Sequence, residues 1–417
     1  MLKKIRSLDL FTRNFILVFA GTSFSNFLNL IYQLLIAHKL TASDFAAFNS
    51  LIAITLLIAT PLGTLQLAIA KYAAEFKARG QLKKIKSFLL KCLGKVFILS
   101  VITLVLFTFF TPAIINNLKI SQYSSGYILA LILALAWITP VFAGGVQGIE
   151  SFKWYMSGSV LSGIGKLILT VILLSLGFGV SGALGAFIGA NIILTSILYL
   201  PLRSFLRESG EDPGISLKEI VLYALPIIGA TVCYNWLTTF DMVLVRYYFS
   251  PDESGAYSVA QMVGKIFLFL PGAISIVLFP RASSLKAVQS DTRHILKRSL
   301  LIGAGLSIGA FIAYNLFPSL VLKILTGKSI PESIALGRLF SISMTFYALL
   351  FIPVNYFLSI KDFKFIKYLV ISSAAQFTAI AFFHNTLYQV LVIICINSVL
   401  VFLIHLWLAF RHHYEKH

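Results

Sequence analysis

Lys166, Asp241, Arg246, Lys265 and Arg338 stand inside long apolar stretches of the chain, where charged residues are otherwise almost absent. Four of the five are cations, so a cavity shared by them would be net positive and would favour an anionic ligand. An ammonium brings a compact charge with three N–H donors, and a guanidinium brings a flat fork of donors. Both suit phosphate oxygens. Lys166 lies near the centre of the fifth apolar stretch and Lys265 near the centre of the eighth. Asp241 falls about seven residues, roughly 10 Å, outward from the middle of the seventh. Arg246 closes that stretch, and Arg338 sits in the outer part of the tenth. The competing use of the same residues is structural, with Asp241 pairing with Lys265 or Arg246 as a bridge.

The elements that must carry these side chains are membrane-spanning helices. Hydrophobic residues make up 58% of the 417 and charged residues only 12%, about half the charged share of a soluble domain. The mean hydropathy is +0.90. Residues 15–37, 45–70 and 96–118 contain no charge at all, and about 20 apolar residues suffice to cross the hydrocarbon as a helix. Runs this long and continuous exclude barrel strands. Spans are expected near 14–37, 45–70, 96–117, 126–148, 157–177, 181–202, 219–246, 256–280, 299–319, 333–358, 366–385 and 388–410. Lys3, Lys4 and Arg6 precede the first run, which is too long for a signal-peptide core and is expected to be retained. A lysine at mid-bilayer costs about 2.5–3.5 kcal/mol, so it should face a cavity or a partner.

The net charge of +19 follows from topology. Threaded this way, one side of the membrane collects most of the lysines and arginines. The other holds Lys39, Lys119, Arg246, Lys323 and Lys328. This is the positive-inside bias, with both termini cytoplasmic, and nucleic acid is not an expected partner. In Lys71–Lys95, Tyr72, Phe76, Leu82, Ile85, Phe88, Leu89 and Leu93 recur among lysines at helical spacing. Such a segment is expected either to lie on anionic lipids at the cytoplasmic face or to form a solvated basic loop.

The chain also matches itself at an offset near 210. Pro61 pairs with Pro271, Phe48 with Tyr257 and Pro140-Val141 with Pro353-Val354. Ile149-Glu150-Ser151-Phe152-Lys153 pairs with Ile360-Lys361-Asp362-Phe363-Lys364. The expected fold is therefore all-α and integral to the membrane, with about twelve spans in two six-helix lobes, 1–205 and 219–417, joined by a cytoplasmic linker, 206–218. An even number of spans per lobe places the pseudo-two-fold axis along the membrane normal.

Enzyme signatures fail on inspection. Gly177, Gly179 and Gly182 have phosphate-loop spacing but no strand before them, and a helix hairpin is the expected structure. Gly327-Lys328-Ser329 lacks the glycine required five residues earlier, where Leu322 stands. HExxH is absent from the sequence, and no cofactor or metal is expected. Cys92, Cys233 and Cys395 are read as apolar fillers. Gly185-xxx-Gly189 and Gly305-xxx-Gly309 are expected to admit close helix packing.

The stretch from Asp241 through Arg246, Pro251, Gly255, Tyr257 and Lys265 to Phe279-Pro280-Arg281 resembles the polysaccharide-transport flippases, which share a superfamily with multidrug and toxin extrusion (MATE) transporters and lipid II flippases. Gln147–Phe152, Gly179–Ala183 and Ile324–Gly327 look like that family too. Ala46-Ala47-Phe48 departs from the Gly-x-aromatic turn that the first half should carry. The resemblance implies alternating access, with spans 1, 2, 7 and 8 lining the cavity. Its cargo would be an undecaprenyl-diphosphate-linked oligosaccharide, flipped from the inner to the outer leaflet of a bacterial-type cell membrane. Polysaccharide-assembly proteins are candidate partners. The alternatives are a MATE-type ion-coupled multidrug exporter and a membrane-embedded glycosyl- or acyltransferase. A drug exporter for cations needs cavity carboxylates, and Asp241 is the one acid clearly within a span.

Prolines 61, 140, 226, 271 and 353 each remove a helix hydrogen bond within a span and are candidate flex points. Replacing Pro271 with Ala should slow transport while leaving membrane insertion intact. Unchanged transport rates at normal protein levels would reduce these prolines to packing features.

Overall fold

The computed structural model describes residues 10–207, 211, 214, 217–268 and 293–411, all of whose regular elements are helices. Pro271, the Phe279-Pro280-Arg281 motif and most of the 206–218 linker fall outside them. The first half contains α1 (Leu10–Lys39), α2 (Ala42–Ala78), α3 (Leu82–Asn117), α4 (Tyr123–Gly148), α5 (Phe152–Ser175) and α6 (Gly179–Arg207). The second contains α7 (Leu217–Thr239), α8 (Asp241–Tyr248), α9 (251–268), α10 (Arg293–Leu316), α11 (Pro318–Thr326), α12 (Pro331–Ser359), α13 (Ile366–Phe382) and α14 (Leu387–Arg411).

These helices sit where the twelve spans are expected, the eighth described only as far as residue 268, with two differences. The seventh span is broken into α7 and α8, which meet at 43°, and α11 is an added short helix. Among the described residues, eight helices are individually long and apolar enough to cross a membrane, and the α7–α8 pair makes nine. Helix α13 is apolar but has only 17 residues, and α1 is diluted by Ser25, Asn26, Asn29 and Gln33. The molecule is an all-α membrane protein.

The chain packs as two compact units. One comprises the chain up to Lys39 together with Thr55–Leu225, and the other comprises Leu40–Ile54 with Pro226 onward. Helix α2 thus contributes its first turns to the second unit. There Gly255 of α9 lies so near α2 that a Cβ would stand 3.0 Å from the backbone carbon of Ala42. This accounts for the asymmetry between the two turns. Ala46, at the position equivalent to Gly255, keeps its methyl group and is buried, whereas Gly255 has a neighbouring backbone in the way.

The internal repeat is visible in how the helices begin and end. Helix α2 starts on a reciprocal cap: the backbone N–H of Asp44 donates to Thr41 Oγ1 (3.1 Å), and Thr41 Oγ1 donates to Asp44 Oδ2 (2.8 Å). Helix α9 starts on the same device, with Ser250 and Glu253 in those roles (3.3 and 2.7 Å). Each side-chain oxygen satisfies a donor that the helix leaves unpaired. The two caps lie 209 residues apart. Helices α4 and α12 also end alike: Glu150 and Lys361 both take positive φ (59° and 58°), and Ser151 and Asp362 donate back to Val146 and Phe357.

Two sequence expectations are corrected here. The apolar stripe of Lys71–Lys95 faces protein, while Lys71, Lys83, Lys91 and Lys95 stay exposed. Helix α2 runs on to Ala78, Gly80 turns the chain at φ 69°, and α3 begins at Leu82. Tyr72, Phe76, Ile85, Phe88 and Leu89 are buried in the core of the first unit. An apolar helical stripe has the same spacing whether it meets lipid or protein, and here it meets protein. The second correction concerns the glycine pairs. A Cβ at Gly189 would collide with Leu169 at 2.2 Å, but Gly305 and Gly309 have no described atom within 4 Å of theirs. The other glycine motifs are helix-end turns, as expected, with Gly177, Gly179 and Gly327 at positive φ.

Gly255→Leu should therefore destabilise the protein by about 1–3 kcal/mol, the cost of overpacking a tight contact, while Gly305→Leu should be near neutral. Thermal unfolding of the two variants in detergent checks this. Equal melting temperatures would contradict the packing described.

Candidate functional site

The seventh span breaks for local reasons. Thr238 and Thr239 turn their hydroxyls back onto the carbonyls of Tyr234 (2.9 Å) and Asn235 (2.6 Å), a bond that competes with the helix ladder and bends it. Gln376 of α13 reaches in and donates to the Leu237 carbonyl at 3.2 Å, and side-chain insertion of this kind produces kinks. Gln376 is itself held by Tyr347 (2.5 Å) and Asn397 (2.9 Å). Trp236 and Phe240 stack at 3.9 Å on the last turn before the break. The break puts Asp241 in the first turn of α8, where a carboxylate meets the positive end of the helix.

Asp241 is 1% exposed and its oxygens are taken by neutral donors. Tyr257 Oη donates to Oδ2 at 2.6 Å, and Gln261 Nε2 lies 3.2 Å from both oxygens. Tyr257, Gln261 and Lys265 are spaced at i, i+4, i+8 on α9 and so share one face. Lys265 forms no ion pair with Asp241. Among the described residues, ion pairs link Lys77 to Glu150 and Lys83 to Glu211. The Lys265 ammonium instead donates to Asn49 Oδ1 of α2 at 2.6 Å, with the Phe45 ring 6.0 Å away. Asn49 is fixed in turn by donating to Ser258 Oγ at 2.8 Å. Asn49 and Ser258 are equivalent positions of the repeat, 209 residues apart. The lysine is thus oriented by an amide, and Asp241 acts on its charge only at longer range, without a direct salt bridge.

Arg246 and Arg338 are placed differently. Arg246 is 2% exposed and donates to Ser254 Oγ (2.8 Å), the Pro251 carbonyl (3.3 Å) and Ser43 Oγ (3.4 Å). It clamps the turn between α8 and α9 to the start of α2. Arg338 is exposed on α12, and no bond joins it to Lys265, Asp241 or Arg246 among the described residues.

Lys166 forms a second site, inside the other unit. Its ammonium donates to Asn29 Oδ1 of α1 at 2.5 Å and lies over the rings of Tyr32 (4.3 Å) and Phe187 (4.8 Å). A polar cavity of about 170 Å³ opens beside it, lined by Ser25, Asn29, Ser159, Ser162 and Asn191 among others. Both lysines follow one pattern: an ammonium held by an asparagine oxygen beside an aromatic face. Cation–π contacts of this kind are worth about 2 kcal/mol when desolvated.

Sequence reasoning found both lysines and Asp241 but missed Asn29, Asn49 and Gln261. A signal existed in each case, since Asn and Gln are rare within apolar spans and are costly there unless paired. The identity of their partners was not available in the sequence.

Residues 11–286, well over half of the chain, match the family described as "Polysaccharide biosynthesis protein", and residues 226–383 match the MatE family. The probable flippase AglR of Haloferax volcanii is 27% identical over 187 residues, which cover 45% of this chain and 37% of AglR. Two solved structures share the fold across 94% of this chain. One is a multidrug resistance MATE family transporter of the MOP superfamily in its inward-facing conformation (TM-score 0.74, 12% identity, 96% of that chain covered). The other is the lipid II flippase MurJ in its inward closed conformation (TM-score 0.71, 16% identity, 87% covered). With a polytopic helical fold of the MATE and MurJ type and a family match over most of its length, the chain belongs to the polysaccharide biosynthesis protein family.

Proposed function

We propose that this protein flips an undecaprenyl-diphosphate-linked oligosaccharide from the inner to the outer leaflet by alternating access, and that Lys265 meets the diphosphate. The observation that carries the reading is an ammonium inside a span, aimed by Asn49 and left without an ion-pair partner among the described residues. An Asn amide solvates a lysine without neutralising it, so attraction for a doubly charged phosphate group is retained. Lys166, with its polar cavity, provides a second cationic point bordered by hydroxyls and amides, groups suited to sugar hydroxyls. Asp241 and Arg246 act as positioning residues that set the α8–α9 corner, and Arg338 is a secondary contact on α12. On this reading the protein is multi-pass in the inner membrane with both termini cytoplasmic.

The MatE match and MATE-like fold support the drug-exporter alternative. Against it stands the charge of the site. A cationic drug needs a free carboxylate, and both oxygens of Asp241 are engaged by Tyr257 and Gln261.

The test is surface glycan measured in cells that depend on this protein. Lys265→Gln should reduce delivery at least about tenfold, the loss expected when one charge-assisted bond of about 1.5–3 kcal/mol is removed, with protein levels unchanged. Lys265→Arg should keep partial function. Combining Asp241→Asn with Lys265→Gln should not rescue it, because Lys265 and Asp241 are not an ion pair. Full recovery in the double variant would reject the substrate role of Lys265. Lys166→Gln should produce a smaller loss, and an effect as large as that of Lys265→Gln would move the diphosphate to the first unit.

A further inference from the structure

Helices α12, α13 and α14 bring three span ends together at one face of the second unit, and a cleft of about 190 Å³ opens between them. Among the described residues its rim carries Lys364, Lys367 and Arg411, with one acid, Asp362. The Asp362 Oδ1 oxygen accepts the backbone N–H of Lys364 at 3.1 Å, which turns it toward the turn backbone. Two of the cations are held over aromatic rings, Lys367 at 4.9 Å from the Tyr368 centroid and Arg411 at 4.5 Å from that of Trp407. The floor is rigid: Phe357 and Phe365 stack at 5.1 Å and are almost fully buried. Helix α13 begins at this cleft with no side-chain cap and no acid in its first turn, so its positive end faces the same space.

The equivalent turn of the first unit has a different charge. There Glu150 stands where the second unit has Lys361, and Lys77 donates to both the Glu150 carboxylate and the Ile149 carbonyl at 2.8 Å. The Glu150 charge of that turn is met by Lys77. The turn's copy in the second unit gathers cations around an open cleft.

We infer that this cleft binds the phosphate head group of an anionic membrane phospholipid. Lys364, Lys367, Arg411 and the start of α13 would surround the phosphate. Position favours a lipid over a free anion. The cleft lies where spans end, which is the head-group level of a bilayer. Trp407 is half exposed beside it, with Leu403 and Val370 exposed on the adjoining turns of α14 and α13. A lipid seated there would find acyl contacts directly below its phosphate. Basic pockets between spans at this level bind anionic head groups, and ring-mounted cations lose less freedom on binding than free ones. The site is separate from Lys265 and Lys166 and does not depend on what the protein transports.

The test is native mass spectrometry of the full-length protein titrated with phosphatidylglycerol, phosphatidylcholine or inorganic phosphate. Wild type should retain phosphatidylglycerol in clear preference to phosphatidylcholine. Lys367→Gln and Arg411→Gln should each weaken that retention about fivefold, matching roughly 1 kcal/mol per cation near an anionic head group. Arg411→Lys should retain most of it. A control pair, Lys83→Gln with Lys91→Gln, removes two exposed charges from α3 and should change retention less than about twofold, since distant surface charges are screened. Equal loss in the control, no preference between the lipids, or full displacement by millimolar inorganic phosphate would each overturn the proposal.

Discussion

An ammonium inside a bilayer has to be solvated by protein groups, and this requirement governs the interior of the second unit. The desolvation cost of about 2.5–3.5 kcal/mol for a lysine in mid-span is close to the roughly 1.5–3 kcal/mol of one hydrogen bond to a charged group. A single well-placed amide therefore offsets most of it. Asn49 supplies that amide to Lys265, and Ser258 holds Asn49 in register. This needs the first turns of α2 to lie against α9, which in turn needs Gly255 to have no side chain where Ala42 passes. A carboxylate would have solvated the lysine as well but would have cancelled its charge. The one buried acid nearby is instead occupied by a tyrosine and a glutamine.

Duplication supplies the frame and divergence supplies the site. The capping pairs Thr41/Asp44 and Ser250/Glu253 start α2 and α9 in the same way, and the turns at Glu150 and Lys361 end α4 and α12 with the same left-handed residue. The charges within the spans do not follow the repeat. Leu56 stands where the repeat would place a counterpart of Lys265, and Glu150 takes the place of Lys361. Positions that only build the frame are shared between the halves, while positions with an electrostatic task differ.

Much of this was legible in the sequence because the bilayer imposes simple rules. Apolar length located the spans, and the repeat offset aligned the halves. Intramembrane charge singled out Lys166, Asp241 and Lys265. What could not be read depends on contacts distant in sequence. The partner of Lys265 lies 216 residues away. The break at Phe240 owes as much to Gln376 on α13 as to the two threonines beside it, and residues 219–239 look like an ordinary apolar run. The amphipathic stripe around Phe76 and Phe88 has a helical period that does not reveal whether lipid or protein covers it. Arg246 looked like a ligand residue because it is a cation at a span end, and only its bonds to Ser254, Pro251 and Ser43 show it as a clamp.

The central claim is that the intramembrane lysines serve an anionic, lipid-linked cargo. Its most direct test is transport by the purified protein in sealed proteoliposomes, offered in parallel a polyprenyl-diphosphate-linked oligosaccharide and a cationic dye. The account predicts that the glycolipid becomes accessible on the opposite face at a rate that depends on the protein, while the dye distribution stays at the protein-free background. Protein-dependent movement of the dye with no movement of the glycolipid would contradict it.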